Sequence, residues 1–366
     1  MIKEESITGR QLFAIVVMVQ LGTEVLSLPH VEADVAGQDT WIAVLLSGLF
    51  AQLGILLIWW LGSRYPDRNL YTYISTIVGK PIGLCMNAVF GLYYAFSGFL
   101  LTTNYADVLK RWMFVLSPWW ILLLMLLIVC GYAATSTLRS LALISQTMII
   151  VPIVGFLLIT LSGTYGFDAK NLLPVLSGGW NPVMKGAYAA FSSYVGYDLL
   201  LYAYPYVRSR SNKGLLLWMS IANAIAIVFY VAVCLVCSTM FSLRQLTYIP
   251  EPIVFILKNY QLEIIQSLDI LFLIFYACVV LSTIYVYFFL SSKAFMHLRK
   301  NGWGKQSVWV WAIVCACFAG GFFMTKRSNI IQVAALQDQA SVYLIVVLPV
   351  ILLVLSTLQR TMRNGV

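Results

Sequence analysis

Gln20-Leu21-Gly22-Thr23-Glu24-Val25-Leu26-Ser27-Leu28-Pro29 sets a glycine, an acid and a proline into a long apolar run. A second apolar run repeats the order: Tyr194-Val195-Gly196-Tyr197-Asp198-Leu199-Leu200-Leu201-Tyr202-Ala203-Tyr204-Pro205. In both, a helix-weakening glycine precedes an acid by two residues, and an apolar stretch leads to a proline. Such an interruption frees backbone N–H and C=O groups. In an apolar medium these are tolerated only where they face protein, ligand or water. Two interruptions at matching places in two halves of a chain mark a binding site between the halves.

The surrounding chain supplies that medium. Hydrophobic residues make up 61% of the 366, and charged residues only 10%, against roughly 25% in a soluble domain. Apolar runs long enough to cross a hydrocarbon core recur at roughly 10–33, 40–62, 82–110, 117–134, 140–162, 183–207, 214–241, 264–297, 307–325 and 338–358. The gaps are too short for a separate soluble domain. The expectation is one all-α, polytopic membrane domain over 1–366, with about ten transmembrane helices. Five runs separate the two interruptions, so the chain divides into a first repeat at about 10–162 and a second at about 183–358. An odd number of spans per repeat gives the two opposite orientations.

Charge sets the expected topology. With ten spans, the face bearing the N-terminus collects 15 of the 23 Lys and Arg, including Lys3, Arg10, Arg64, Arg68, Lys80, Arg139, Arg208, Arg210, Lys213, Lys293, Arg299 and Lys300. The positive-inside rule then places both termini in the cytoplasm. The net charge of +9 reads as topology and contact with lipid headgroups, and no nucleic-acid partner is implied. Glu4 and Glu5 ahead of an overlong first run argue against a cleavable signal. The amphipathic segment 64–81 falls on the cytoplasmic side, and the outer loops near 164–182 and 243–262 are candidates for short interfacial helices.

Enzymatic chemistry finds no foothold. The histidines, His30 and His297, lie in no metal-binding spacing, and Gly79-Lys80 is followed by Pro81 instead of the serine or threonine of a phosphate loop. Cys234 and Cys237 form C-x-x-C inside an apolar run, where thiols pack as small hydrophobes. No cofactor, metal or catalytic residue is expected.

An ionisable side chain within a membrane costs about 2.5–3.5 kcal/mol, so each needs a reason. Glu24 and Asp198 sit at the interruptions, together with Gly22, Thr23, Ser192, Ser193, Gly196 and Tyr197. These form a candidate polar cradle: half-helix N-termini for a carboxylate, and an acid for an ammonium or a coupling cation. A structural role for both acids, accepting hydrogen bonds from nearby backbone, is the alternative. The third span offers Tyr93, Tyr94, Ser97 and Gly98 as a wall, and the eighth offers Ser282 and Thr283. Membrane serines and threonines otherwise bond their own helix or a neighbour. Asp107, Lys110 and Arg111 read as a surface ion cluster, and Asp269 as a second buried acid.

In order, Arg10-Gln11, the Gly22-to-Pro29 interruption, Tyr65-Pro66, Gly79-Lys80, Asn171-Leu172-Leu173-Pro174-Val175-Leu176 and Gly196-Tyr197-Asp198 with Pro205 make the chain resemble a known family. It is similar over nearly its whole length to the permease-like B subunits of bacterial spore germinant receptors, a branch of the amino acid–polyamine–organocation (APC) transporters. The resemblance implies a LeuT/APC-type five-plus-five inverted repeat with broken helices 1 and 6 around a central site. It also implies binding of a small-molecule germinant, an amino acid or sugar, in the inner membrane of the endospore. The implied partners are an A subunit and a lipoprotein C subunit. Thr23 and Glu24 depart from the family pattern, which usually carries a small residue after the glycine and no acid there. The ligand therefore cannot be copied from a relative. A secondary amino-acid transporter coupled to H+ or Na+ needs the same pocket and stays open at this point.

Overall fold

The computed structural model describes residues 5–208, 212–260, 268–298, 305–324 and 327–364. Lys3, Glu4, Arg210, Arg299 and Lys300, counted above in the charge pattern, lie outside them. The chain opens with a two-residue strand, β1 (Ile7–Thr8), and helix α1 (Gly9–Gln20). Thr8 starts α1 with a capping box: its hydroxyl accepts from the Gln11 N–H, and the Gln11 side chain accepts from the Thr8 N–H. Leu21, Gly22 and Thr23 then stand outside helix, and α2 (Glu24–Ala36) begins. Pro29 lies inside α2 and does not end it.

The expected loop after residue 33 is only a tight turn, Gly37–Asp39, so α2 passes almost directly into α3 (Thr40–Arg64). An Asn69 cap opens the amphipathic α4 (Leu70–Val78), whose buried face is Leu70, Tyr71, Tyr73, Ile74 and Ile77. Gly79, at a φ of 88°, turns the chain into α5 (Lys80–Trp112), with Pro81 in the first turn where a missing N–H costs nothing. Helices α6 (Trp119–Ala134), α7 (Leu138–Met148) and α8 (Ile150–Gly163) complete the first half.

The second interruption follows α9 (Trp180–Ala189). A 3-10 turn, Ala190–Tyr194, is followed by extended backbone at Val195 and by Gly196 at a φ of 135°. A five-residue helix, α10 (Leu199–Ala203), then leads to strand β2 (Val207–Arg208). Beyond it lie α11 (Asn212–Met240), the short helices α12 (Leu243–Tyr248) and α13 (Pro252–Asn259), and α14 (Leu268–Met296). Helices α15 (Gln306–Gly321), α16 (Arg327–Val342) and α17 (Leu348–Asn364) close the chain, with a π-helical turn, Tyr343–Val347, between the last two.

Among the described residues, six helical stretches are long and apolar enough to cross a bilayer: Glu24–Arg64, Lys80–Trp112, Leu138–Gly163, Lys213–Met240, Leu268–Met296 and Arg327–Gln359. Gly9–Gln20, Trp119–Ala134 and Gln306–Gly321 are shorter apolar helices. Apolar side chains such as Leu49, Leu53, Leu92, Met125, Val129 and Val228 face outward. Water would not tolerate such a periphery over so many helices, but lipid favours it.

One end of the helix array is sealed. There β1 pairs with β2 in parallel, Ile7 opposite Val207 and Thr8 opposite Arg208. Lys293 ion-pairs with Glu5, which also accepts from the Tyr202 hydroxyl at 2.8 Å. The Tyr71 hydroxyl donates to the Leu290 carbonyl at 3.0 Å, Asn87 to the Tyr71 carbonyl at 2.9 Å, and Arg64 to Ser356 at 2.6 Å. The opposite end is open, and a cavity descends from it.

Candidate functional site

The cavity holds about 500 Å³ and runs from the first interruption outward between α2, α5 and α16. Its floor is the turn between α1 and α2. Gly196 presses against that turn: a Cβ built on it would lie 2.8 Å from Val19 Cγ1 and 3.1 Å from the Gln20 nitrogen. The two interruptions, 174 residues apart, are therefore in contact, and the missing side chain at 196 permits it.

The C-terminal end of α1 leaves carbonyls without intrahelical partners, and hydroxyls from three neighbouring positions take them. Thr283 lies 3.3 Å from the carbonyls of both Met18 and Val19. Tyr230 donates to Gln20 O at 2.6 Å and lies 3.1 Å from Ser193 O. Tyr276 donates to Leu21 O and is 3.1 Å from Gly22 O. Gln20 itself donates to Tyr194 O at 2.9 Å and to Asn223 at 3.3 Å, which reaches Gly48 O and Gln52. This polar net fixes the floor, since a buried group losing its partner costs about 1–3 kcal/mol.

The N-terminus of α2 contrasts with this. Thr23, a buried residue, stands at the cap position without making a capping bond, and its hydroxyl has no partner among the described residues. The Leu26 N–H turns back to the Thr23 carbonyl at 3.1 Å, and the positive end of the α2 dipole lies beside the cavity. Opposite, Glu24 and Asp338 are close enough for their charges to act on one another, and Ser192 faces Asp338. Gln337 donates to Ser97, which is bonded in turn to Tyr93 O at 2.9 Å.

Of the residues the sequence nominates, Gly22, Thr23, Glu24, Tyr93, Ser97, Ser192, Ser193 and Thr283 line the cavity. Tyr94, Gly98, Gly196, Tyr197, Asp198 and Ser282 do not. Asp198 is fully buried behind the floor, where one carboxylate oxygen accepts from the Gly196 N–H at 2.9 Å and the other has no bond of ordinary geometry, with Tyr94 beside it. Tyr197 packs its hydroxyl against Gly54, and Ser282 bonds its own helix at Cys278 O, 2.7 Å away. Asp338, Gln337, Tyr287 and Glu32 line the cavity without having been nominated. An acid inside a long apolar helix is the signal that marks Asp338. It sits at the edge of the apolar run starting at 338, where a surface position reads equally well.

The mouth carries an ion cluster larger than the expected Asp107, Lys110 and Arg111. Arg111 pairs with Asp107 at 2.9 Å and grips both oxygens of Glu251, at 2.5 and 2.7 Å. Trp112 Nε1 donates to Glu251 at 3.1 Å, and Arg327 reaches Glu251 at 3.1 Å and Asp107 at 3.6 Å. Burial pushes the Glu251 carboxyl up, but the Arg111 bonds and the charges of Arg111 and Arg327 outweigh it. The group is held below its ordinary value of 4.5. A depressed carboxyl contributes stability that is present above the ordinary value and lost as pH falls through the lowered one. The melting temperature should therefore hold steady from pH 7 to about 5 and fall at more acid pH. Glu251→Gln should flatten that acid limb, and an unchanged limb in the variant would show that the cluster contributes nothing.

Comparison with known proteins agrees with this architecture. A family model described as Spore germination protein (Spore_permease) matches residues 6–330. The spore germination protein GerQB of Bacillus cereus is 24% identical over 354 residues, covering 96% of each chain. YndE of Bacillus subtilis (strain 168) is 27% identical over 207 residues, 56% of this chain and 57% of that one. Among solved structures, a substrate-bound, outward-open Na+-coupled sialic acid symporter superposes with a TM-score of 0.67 at 11% identity, covering 94% of this chain and 80% of the symporter. MhsT in complex with L-phenylalanine superposes with a TM-score of 0.60 at 16% identity, covering 86% and 78%. The likeness to these transporters is one of fold. With the family match spanning most of its length and its apolar helices built for a bilayer, the chain is a multi-pass membrane protein with a transporter-like fold that belongs to the spore germination protein family.

Proposed function

We propose that this chain is the ligand-binding membrane subunit of a spore germinant receptor. Its cavity takes a small nutrient, an amino acid, and the resulting shift in conformational population is read by an A subunit and a lipoprotein C subunit. In this reading the chain crosses the inner spore membrane ten times as two inverted five-helix repeats, with helices 1 and 6 broken at Gly22 and Gly196, both termini in the cytoplasm and the open end facing outward.

One observation carries the reading. The cavity offers both poles that a zwitterion needs: the positive N-terminal end of α2, with a Thr23 hydroxyl that has no partner among the described residues, and carboxylates at Glu24 and Asp338. A sugar would satisfy hydroxyl donors and acceptors but would leave the charges unanswered.

A secondary transporter coupled to sodium is the second reading, favoured by the fold of the neighbours. Transporters of this architecture coordinate the ion with backbone carbonyls of the interrupted helix. Here the carbonyls from Met18 to Gly22 face hydroxyls of Thr283, Tyr230 and Tyr276. Protein groups thus occupy positions that a sodium ion would need, which speaks against sodium coupling at this turn and leaves proton coupling to the transport test below.

The test uses spores lacking other germinant receptors and expressing this chain with its A and C partners. Wild type should germinate with one or more amino acids. Thr23→Val, which removes the free hydroxyl at constant shape, should raise the half-maximal concentration about tenfold at unchanged protein level. A normal response from Thr23→Val would remove the zwitterion site. Accumulation of the amino acid in proteoliposomes under a sodium or proton gradient would instead establish transport.

A further inference from the structure

Resting on the reading that this cavity binds the germinant, we infer that its ligand carries a net positive charge: a basic amino acid or a diamine, in preference to a neutral amino acid. The walls are unbalanced. Arg327, shared with Arg111, answers Asp107 and Glu251 at the mouth. Below the mouth, Glu24, Asp338 and Glu32 form no ion pair among the described residues.

Glu32 is the independent sign that a cation is wanted. It is fully buried, and neither carboxylate oxygen has a hydrogen-bond partner among the described residues. It lines the upper cavity where α2 packs on α9, so closely that a Cβ at Gly186 would stand 2.8 Å from its Oε2. The ionisable side chains that face it are Cys234 and Tyr194, neither of which brings a positive charge. His30, on the same helix, is engaged by the Leu246 carbonyl at 2.8 Å. A buried acid with neither hydrogen bond nor countercharge is costly to ionise, and a cation that enters with the ligand is the complement that would let it carry its charge.

Spacing suits such a ligand. Eight residues separate Glu24 from Glu32, about 12 Å of helix at 1.5 Å per residue. A diamino acid lying along α2 sets its carboxylate at the Thr23 end, its α-ammonium against Glu24 and Asp338, and its distal ammonium toward Glu32. A neutral amino acid in the same place offers one positive group and returns one negative group, so the acidic excess persists.

The full chain, purified in nanodiscs, is titrated at pH 7 with L-lysine, L-arginine, cadaverine, L-leucine, L-alanine, L-glutamate and D-glucose, with binding read by tryptophan fluorescence and by melting shift. Lysine, arginine or cadaverine should bind at least about tenfold tighter than leucine or alanine, and glutamate weakest. In Glu32→Gln the preference for lysine over leucine should shrink to about twofold or less. Wild-type selectivity needs no variant, so a misfolded Glu32→Gln leaves the test standing. Leucine or alanine binding as tightly as lysine overturns the inference and leaves the ligand-binding reading intact. If no member of any class binds, the reading under Proposed function falls, and this inference with it.

Discussion

Gly196→Ala is expected to lower the unfolding free energy by several kcal/mol and to empty the membrane of correctly folded protein. Two costs add. A φ of 135° is a conformation that side-chain-bearing residues rarely adopt, and holding one there costs about 1–3 kcal/mol. The added methyl also arrives 2.8 Å from Val19 Cγ1 and 3.1 Å from backbone of α1, where overpacking typically costs a further ~1–3 kcal/mol. Backbone cannot swing aside as a flexible side chain can, and the α1 end is pinned through Gln20 by Tyr230 and Asn223. Thermal unfolding of the purified chain, followed by tryptophan fluorescence, is the check. An alanine variant that melts with wild type would show that the two interruptions do not meet as described.

Arg111→Ala should be the most damaging single change at the cavity mouth. It strips Glu251, whose side chain is 3% exposed, of a two-pronged partner while leaving its charge in place. Breaking a buried pair from one side costs about 3–5 kcal/mol. Arg327 and Trp112 keep one bond each, so the loss belongs at the lower end of that range. A double-mutant cycle with Glu251→Gln separates the pair from the rest of the cluster: the second substitution should restore much of what the first loses. Strictly additive losses would mean that the two side chains act independently.

The apolar runs and the paired interruptions were legible because both are local. A run of some twenty apolar residues announces itself, and a glycine followed by an acid in mid-run is visible without knowing what lies across from it. Which way an acid faces is not local. Glu24 and Asp198 hold the same place in their motifs, yet Glu24 points into the cavity while Asp198 turns back to its own backbone at Gly196. Tyr230 and Tyr276 look like ordinary aromatic residues of buried helices, and their hydroxyls acquire meaning only against carbonyls 210 and 255 positions away. Asp338 and Glu251 escaped for the same reason. Their partners or cavity neighbours lie on other helices, so no spacing along the chain reports them.

The sealed end has an energetic consequence. The β1–β2 ladder, the Glu5 contacts and the bonds of Tyr71, Asn87 and Arg64 together form a clasp. At about 0.5–1.5 kcal/mol per bond, unfastening it is comparable with the ~4.1 kcal/mol released when any ligand binds with millimolar affinity. Only the part of that release that differs between fastened and unfastened states can be used to open the clasp. A weak ligand can therefore reshape the open end long before it can breach the sealed one. The two ends of the helix array thus differ in how much binding free energy it takes to move them.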